Sequence, residues 1–169
     1  RLDEIIRIAY PDHFVTFAQL IRSPWGYGFE LPGTINDQLS LQIGLAHIFV
    51  FFITLALIFN QLRRKNFQKQ TTLAVYFGAV VLVSIFLMLQ TKITTYVWQQ
   101  IKLLHIIDIP WRFLGLVSLA LTYLAAYSTR YIKAGLYFLF LILFVLVANR
   151  NHLRINLQVF SQDSFFINY

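Results

Sequence analysis

The chain has 169 residues, of which 58% are hydrophobic, 17% aromatic and 12% charged, with a formal net charge of +7 and no cysteine. About a quarter of residues are charged in an ordinary soluble domain, so this composition excludes one and points to lipid. The lack of cysteine excludes disulfides, thiolate catalysis, zinc–thiolate sites and c-type haem attachment.

The chain begins at Arg1, and Asp3, Glu4, Arg7, Pro11 and Asp12 interrupt the apolar letters before residue 38, so no signal peptide is visible. The expectation is an internal fragment of a longer polytopic protein, forming one membrane domain over residues 1–169. Leu2, Ile5, Ile6 and Ala9 repeat at helical spacing, and after Pro11 the series Phe14, Phe17, Ala18, Ile21 repeats it with Asp12 as N-cap. Two short amphipathic helices at the membrane interface are predicted. Pro24 stops the second, and the loop SPWGYGFELPG at Ser23–Gly33 follows with three glycines and two prolines. Asn36 or Asp37 then caps the next helix.

Four stretches are apolar and free of formal charge: Leu39–Phe59, Leu73–Leu89, Trp111–Tyr127 and Ala134–Ala148, the last extended back to residue 132 if Lys133 reaches toward the headgroups. A hydrocarbon core of ~30 Å takes ~20 helical residues, and backbone groups in lipid must be satisfied within the chain. The pattern does not alternate as barrel strands do. The predicted fold class is therefore all-α: a polytopic transmembrane helical bundle with spans at about 39–59, 73–89, 111–127 and 132–148. Between the second and third spans, Ile93, Val97, Ile101 and Leu104 form an apolar face opposed by Thr94, Thr95, Gln99 and Lys102, which predicts a helix lying flat on the outer surface.

Basic residues mark the cytoplasmic side. The connection 60–72 holds Arg63, Arg64, Lys65 and Lys69, and the turn 128–133 holds Arg130 and Lys133, with no acid in either. All seven acids lie in the outer segments 1–38, 90–110 and 149–169. The positive charge thus reports topology and calls for no nucleic-acid partner. Both fragment ends are expected on the extracytoplasmic face of the cytoplasmic membrane.

Arg112 is the most pointed single residue. Pro110 suits a first helical turn, where its missing N–H had no partner, whereas the positive end of the helix dipole repels the neighbouring arginine. An anion there would relieve both charges, so a substrate phosphate held by Arg112 beside Trp111 is one reading. The other is an interface anchor, with Trp111 in the aromatic belt and Arg112 reaching lipid phosphate. Trp25 and Tyr27 suit stacking on a sugar ring, with Gly26 permitting close backbone approach to a ligand, or else the loop is a structural turn. Asp37, like Asp12, Glu30 and Asp108, is either a general base or metal ligand, or a helix cap or solvated charge. His47 falls eight residues into the first predicted span, as a neutral imidazole bonded to a neighbouring helix or as a functional group. Gly115, Ser118, Thr122 and Ala126 share one side of the third span and predict a packing seam. No cofactor is evident, and no His-x-x-x-His or His–acid cluster supports a metal.

The strings SPWGYG and NDQLSLQIGLAH within Ser23–His47, and VWQQIKLLHIIDIPWRFLG at Val97–Gly115, resemble a family of large bacterial membrane proteins carrying a 6-pyruvoyl-tetrahydropterin synthase-related domain. That family looks like a branch of the GT-C glycosyltransferases and the YfhO-type membrane proteins. Pro-Trp-Arg-Phe-Leu at 110–114 is the sharpest element. The resemblance implies about ten helices in the parent protein, a polyprenyl-phosphate-linked sugar donor at the outer leaflet, and a divalent metal and catalytic acid outside this fragment. Trp111 and Arg112 would then hold donor phosphate, and Trp25, Gly26 and Asp37 the acceptor side. The competing reading is a non-catalytic membrane protein, either a transporter or flippase component or a scaffold for envelope assembly.

Overall fold

The computed structural model describes residues 10–23, 39–65 and 68–148. Among them the chain is helical, with one isolated bridge between Val15 and Leu89. A 3-10 turn at Tyr10–Asp12 precedes α1 (Phe17–Ile21), α2 (Leu45–Arg63), α3 (Lys69–Met88) and α4 (Lys92–Gln100). Two 3-10 segments, Lys102–Ile107 and Pro110–Phe113, lead into α5 (Leu114–Ser128) and α6 (Ala134–Ala148).

Two helices, α2 with 19 residues and α3 with 20, are long and apolar enough to cross a membrane. At ~1.5 Å per residue they reach roughly 28–30 Å. Their apolar windows are only 28% and 33% buried inside the protein, whereas the core helix of a soluble domain would be mostly covered. Helices α5 and α6 have 15 residues each, about 22 Å.

Helices α3 and α5 form the main packing pair, and α2 joins them on α5. Val50, Ile58, Ala74, Val81, Val117, Leu121 and Leu124 fill the seam, and the rings of Phe77 and Tyr123 stack at 4.2 Å. Helix α6 touches α2, where Phe49 meets Phe140 at 5.1 Å and Phe144 at 5.7 Å.

Buried hydroxyls tie the helices together. The Thr54 hydroxyl lies 2.8 Å from that of Ser128 and 3.2 Å from the Leu124 carbonyl, and the Thr71 hydroxyl lies 3.2 Å from that of Tyr127. The second pair joins the start of α3 to the end of α5. It therefore brings the basic turn after α2 and the basic turn after α5 to the same end of the bundle.

At the opposite end, the Leu89 N–H closes the last turn of α3 on Ile85 O and Phe86 O, both at 3.2 Å, and the final carbonyls keep acceptor capacity that the helix itself does not use. Donors from elsewhere in the chain meet them: the Thr94 hydroxyl bonds Phe86 O at 3.1 Å, the Trp98 indole N–H bonds Leu87 O at 3.0 Å, and the Val15 N–H bonds Met88 O at 2.9 Å. This arrangement decides which face of α4 packs against α3. Thr94 and Trp98 are buried there, while Ile93 and Ile101 are exposed.

Several expectations are corrected. The first apolar helix begins at Leu45, six residues later than its sequence limit, because Leu39–Gly44 is extended. There the Leu41 N–H bonds the Ser23 hydroxyl at 3.2 Å and the Ile43 N–H bonds Leu20 O at 2.9 Å. Gly44 makes the turn into α2 at φ 89°, a left-handed geometry that a side chain would resist. Thr16, rather than Asp12, caps α1: its hydroxyl accepts the Gln19 N–H at 3.3 Å and the Gln19 side chain accepts the Thr16 N–H at 2.8 Å. The small residues Gly115, Ser118, Thr122 and Ala126 face outward, since α5 buries Val117, Ala120, Leu121 and Leu124 instead. The helix predicted around Leu2–Ala9, the cap at Asn36 or Asp37, and the loop residues Trp25, Gly26, Tyr27 and Glu30 lie outside the described residues.

Candidate functional site

Two places carry the functional argument, and both lie at the end of the bundle away from the basic turns. The first is the approach to α5. Trp98 is fully buried, with Phe113 edge-on at 6.3 Å and Tyr10 stacked at 5.3 Å. Tyr10 also stacks on His105 at 5.1 Å, and the His105 Nε2 lies 2.8 Å from the Trp98 carbonyl oxygen. This aromatic block holds the segment 101–113 against the end of α3.

Pro110 occupies the first turn of its 3-10 segment and is buried, with Trp111 half-buried beside it. Arg112 points outward. Its Nη1 donates to the Asp108 carboxylate at 3.2 Å and to Ile107 O at 3.2 Å, with the two charged side chains 51% and 41% exposed. Asp108 holds a positive φ of 61°. The anion anticipated beside Arg112 is therefore supplied by the chain itself, and the Arg112 N–H is already donated to Ile109 O at 3.1 Å. An exposed i,i+4 pair of this kind is worth at most about 1 kcal/mol, so a stronger anion can displace Asp108.

The second place is a cavity of 320 Å³ between α1, α2, α3 and α5, walled by Leu20, Ile48, Phe51, Val81, Ile85 and Leu121 among others. This volume is at the lower end of small-molecule sites, about 300–1,000 Å³. His47 is the cavity's one side chain with a polar ring. Because α2 starts at Leu45, His47 lies in its first turn, not deep in a span. Its ring has no hydrogen-bond partner among the described residues, where a bond to a neighbouring helix was expected.

Of the residues singled out from sequence, Trp111, Arg112 and Asp108 are brought together, and His47 is placed apart from them in the cavity wall. Trp25, Gly26 and Asp37 lie outside the described residues. No group of three or more His, Asp or Glu residues able to hold a metal occurs among the described residues. Sequence reasoning missed Trp98. Its signal was the Thr94–Trp98 spacing, which places a hydroxyl and an indole N–H on one helix face. It missed Thr54 and Thr71 too, hydroxyls near or within apolar runs.

No protein-family model, curated protein or solved structure matches this chain. Fold and site together define an all-α helical unit with two helices capable of crossing a membrane.

Proposed function

We propose that this chain is a multi-pass unit of the cytoplasmic membrane, part of a GT-C-like glycosyltransferase that takes sugar from a polyprenyl-phosphate donor at the outer leaflet. The observation that carries the membrane reading is that only 28% and 33% of the residues in the apolar windows of α2 and α3 are buried, while Phe52, Phe59, Tyr76, Leu82 and Val83 are more than half exposed. In water that exposure is unfavourable by ~25 cal/mol per Å² of apolar area; in acyl chains it costs nothing. Helices α5, lengthened by its preceding 3-10 turn, and α6 complete four crossings. Arg63, Arg64, Lys65, Lys69, Arg130 and Lys133 gather at one end, which the positive-inside rule assigns to the cytoplasm. Both ends of the chain then face outward.

At the outer end Arg112 holds the donor phosphate in place of Asp108, with Trp111 packed beneath it, and Trp25, Gly26 and Asp37 shape the acceptor side. The resemblance at Pro110–Leu114 and the half-exposed guanidinium support this role. The remaining helices of the parent protein supply the catalytic acid. Sugar transfer by Arg112→Ala in the parent protein tests it: transfer falls steeply at unchanged abundance, and full retained transfer removes Arg112 from the role.

The second reading is a non-catalytic transporter or flippase component, or an envelope-assembly scaffold. The Asp108–Arg112 pair favours it, because the arginine's charge is already met within the chain. Under this reading the purified parent protein transfers no sugar from a polyprenyl-phosphate donor, whichever residues stand at 108 and 112.

A further inference from the structure

We propose that the cavity between α1, α2, α3 and α5 is a binding site for one acyl chain of a membrane phospholipid, an inference that rests on the membrane reading above. The cavity's mouth is bordered by Phe17, Ile21, Phe52 and Leu82, all exposed. These residues lie on the outward faces of their helices, so the cavity opens sideways into the bilayer and not through a loop end into water. A space of this kind, walled by Leu, Ile, Val and Phe side chains, does not hold water, because water needs two to four polar partners. In the bilayer the surrounding solvent is acyl chain, present at the highest concentration of any apolar group. The volume of 320 Å³ suits a chain of on the order of ten methylene groups, each taking about the space of a water molecule, roughly 30 Å³.

The start of α2 gives the site a direction. The first turn of that helix, where His47 lies, is at the level of the ester groups of a phospholipid when the helix spans the bilayer. A chain inserted from the outer leaflet leaves its ester end at this level and runs its methyl end toward Val81 and Leu121 along an apolar lining.

The test is photolabelling of the full chain in phosphatidylcholine vesicles that contain a phosphatidylcholine with a diazirine on one acyl chain. Peptides are mapped by mass spectrometry. The expected result is label on Ile48, Phe51 and Ile85, lost in Ile85→Trp and in the milder Ile48→Phe, while Leu143 on the outward face of α6 keeps its label in every variant. Cavity label that persists in both folded variants overturns the proposal, as does labelling of Leu143 with no label in the cavity, and either leaves the membrane reading standing. Absence of label at both places overturns the membrane reading and the cavity site with it. Displacement of cavity label by polyprenyl phosphate, but not by the same amount of added phospholipid, overturns the acyl assignment.

Discussion

The hydroxyls of Thr71 and Tyr127 lie 3.2 Å apart, and this one contact decides which loops share a face. Thr71 is the third residue of α3 and Tyr127 the last but one of α5, so the basic turns that flank them must emerge together. The opposite end is fixed by Trp98 and Val15, whose N–H groups meet the last carbonyls of α3.

Because the native sequence contains no cysteine, single-cysteine variants report sidedness without background. Arg64→Cys and Arg130→Cys are expected to react with an impermeant maleimide only from the cytoplasmic side, and Lys102→Cys only from the other. Labelling of Arg64→Cys and Lys102→Cys from one side overturns the arrangement.

Trp98→Ala is the most damaging single change foreseen. It removes a fully buried indole, its hydrogen bond to Leu87 and its ring contacts with Tyr10, Phe14 and Phe113. Large aromatic truncations in cores cost about 3–5 kcal/mol. Thermal unfolding in detergent micelles checks this, and a loss under ~1 kcal/mol removes Trp98 from the anchoring role.

Thr54→Val keeps side-chain shape and deletes the hydroxyl shared with Ser128 and Leu124. Hydrogen bonds between helices in lipid average about 0.6 kcal/mol and reach roughly 1.7. A loss in that range is expected, because Ser128 keeps its own bond to Leu124 O at 3.0 Å. Equilibrium unfolding in mixed micelles measures it.

Gly44→Ala puts a β-carbon at φ 89°, 3.4 Å from the His47 Nδ1. The backbone geometry, φ 89° with ψ 140°, costs a residue with a side chain about 1–3 kcal/mol. A fall in thermal stability of that size is expected, and a neutral substitution shows that the turn into α2 relaxes.

Asp108→Asn removes the anion beside Arg112 and changes stability by no more than about 1 kcal/mol, since the pair is exposed. If Arg112 binds phosphate, this variant holds inorganic phosphate more tightly than the parent chain in isothermal titration. Unchanged or weaker binding removes that site.

The sequence by itself determined that the chain is helical and apolar, where α6 lies, and which turns carry the basic charge. The Ala134–Ala148 helix coincides with its charge-free run, because an apolar run without charge or proline satisfies its backbone most readily within itself. Only the tertiary structure decided where α2 begins, which face of α4 is buried, and what meets Arg112. The first two depended on partners farther along the chain: Ser23 and Leu20 hold the segment before Gly44, and the last carbonyls of α3 draw in Thr94 and Trp98. The third depended on a local turn, in which Asp108 at positive φ brings its carboxylate to the guanidinium four residues on. Periodicity reports how apolar a face is. It cannot report which unpaired backbone groups elsewhere will claim a hydroxyl or an indole N–H, nor that the small-residue side of α5 faces outward while its larger side chains fill the core.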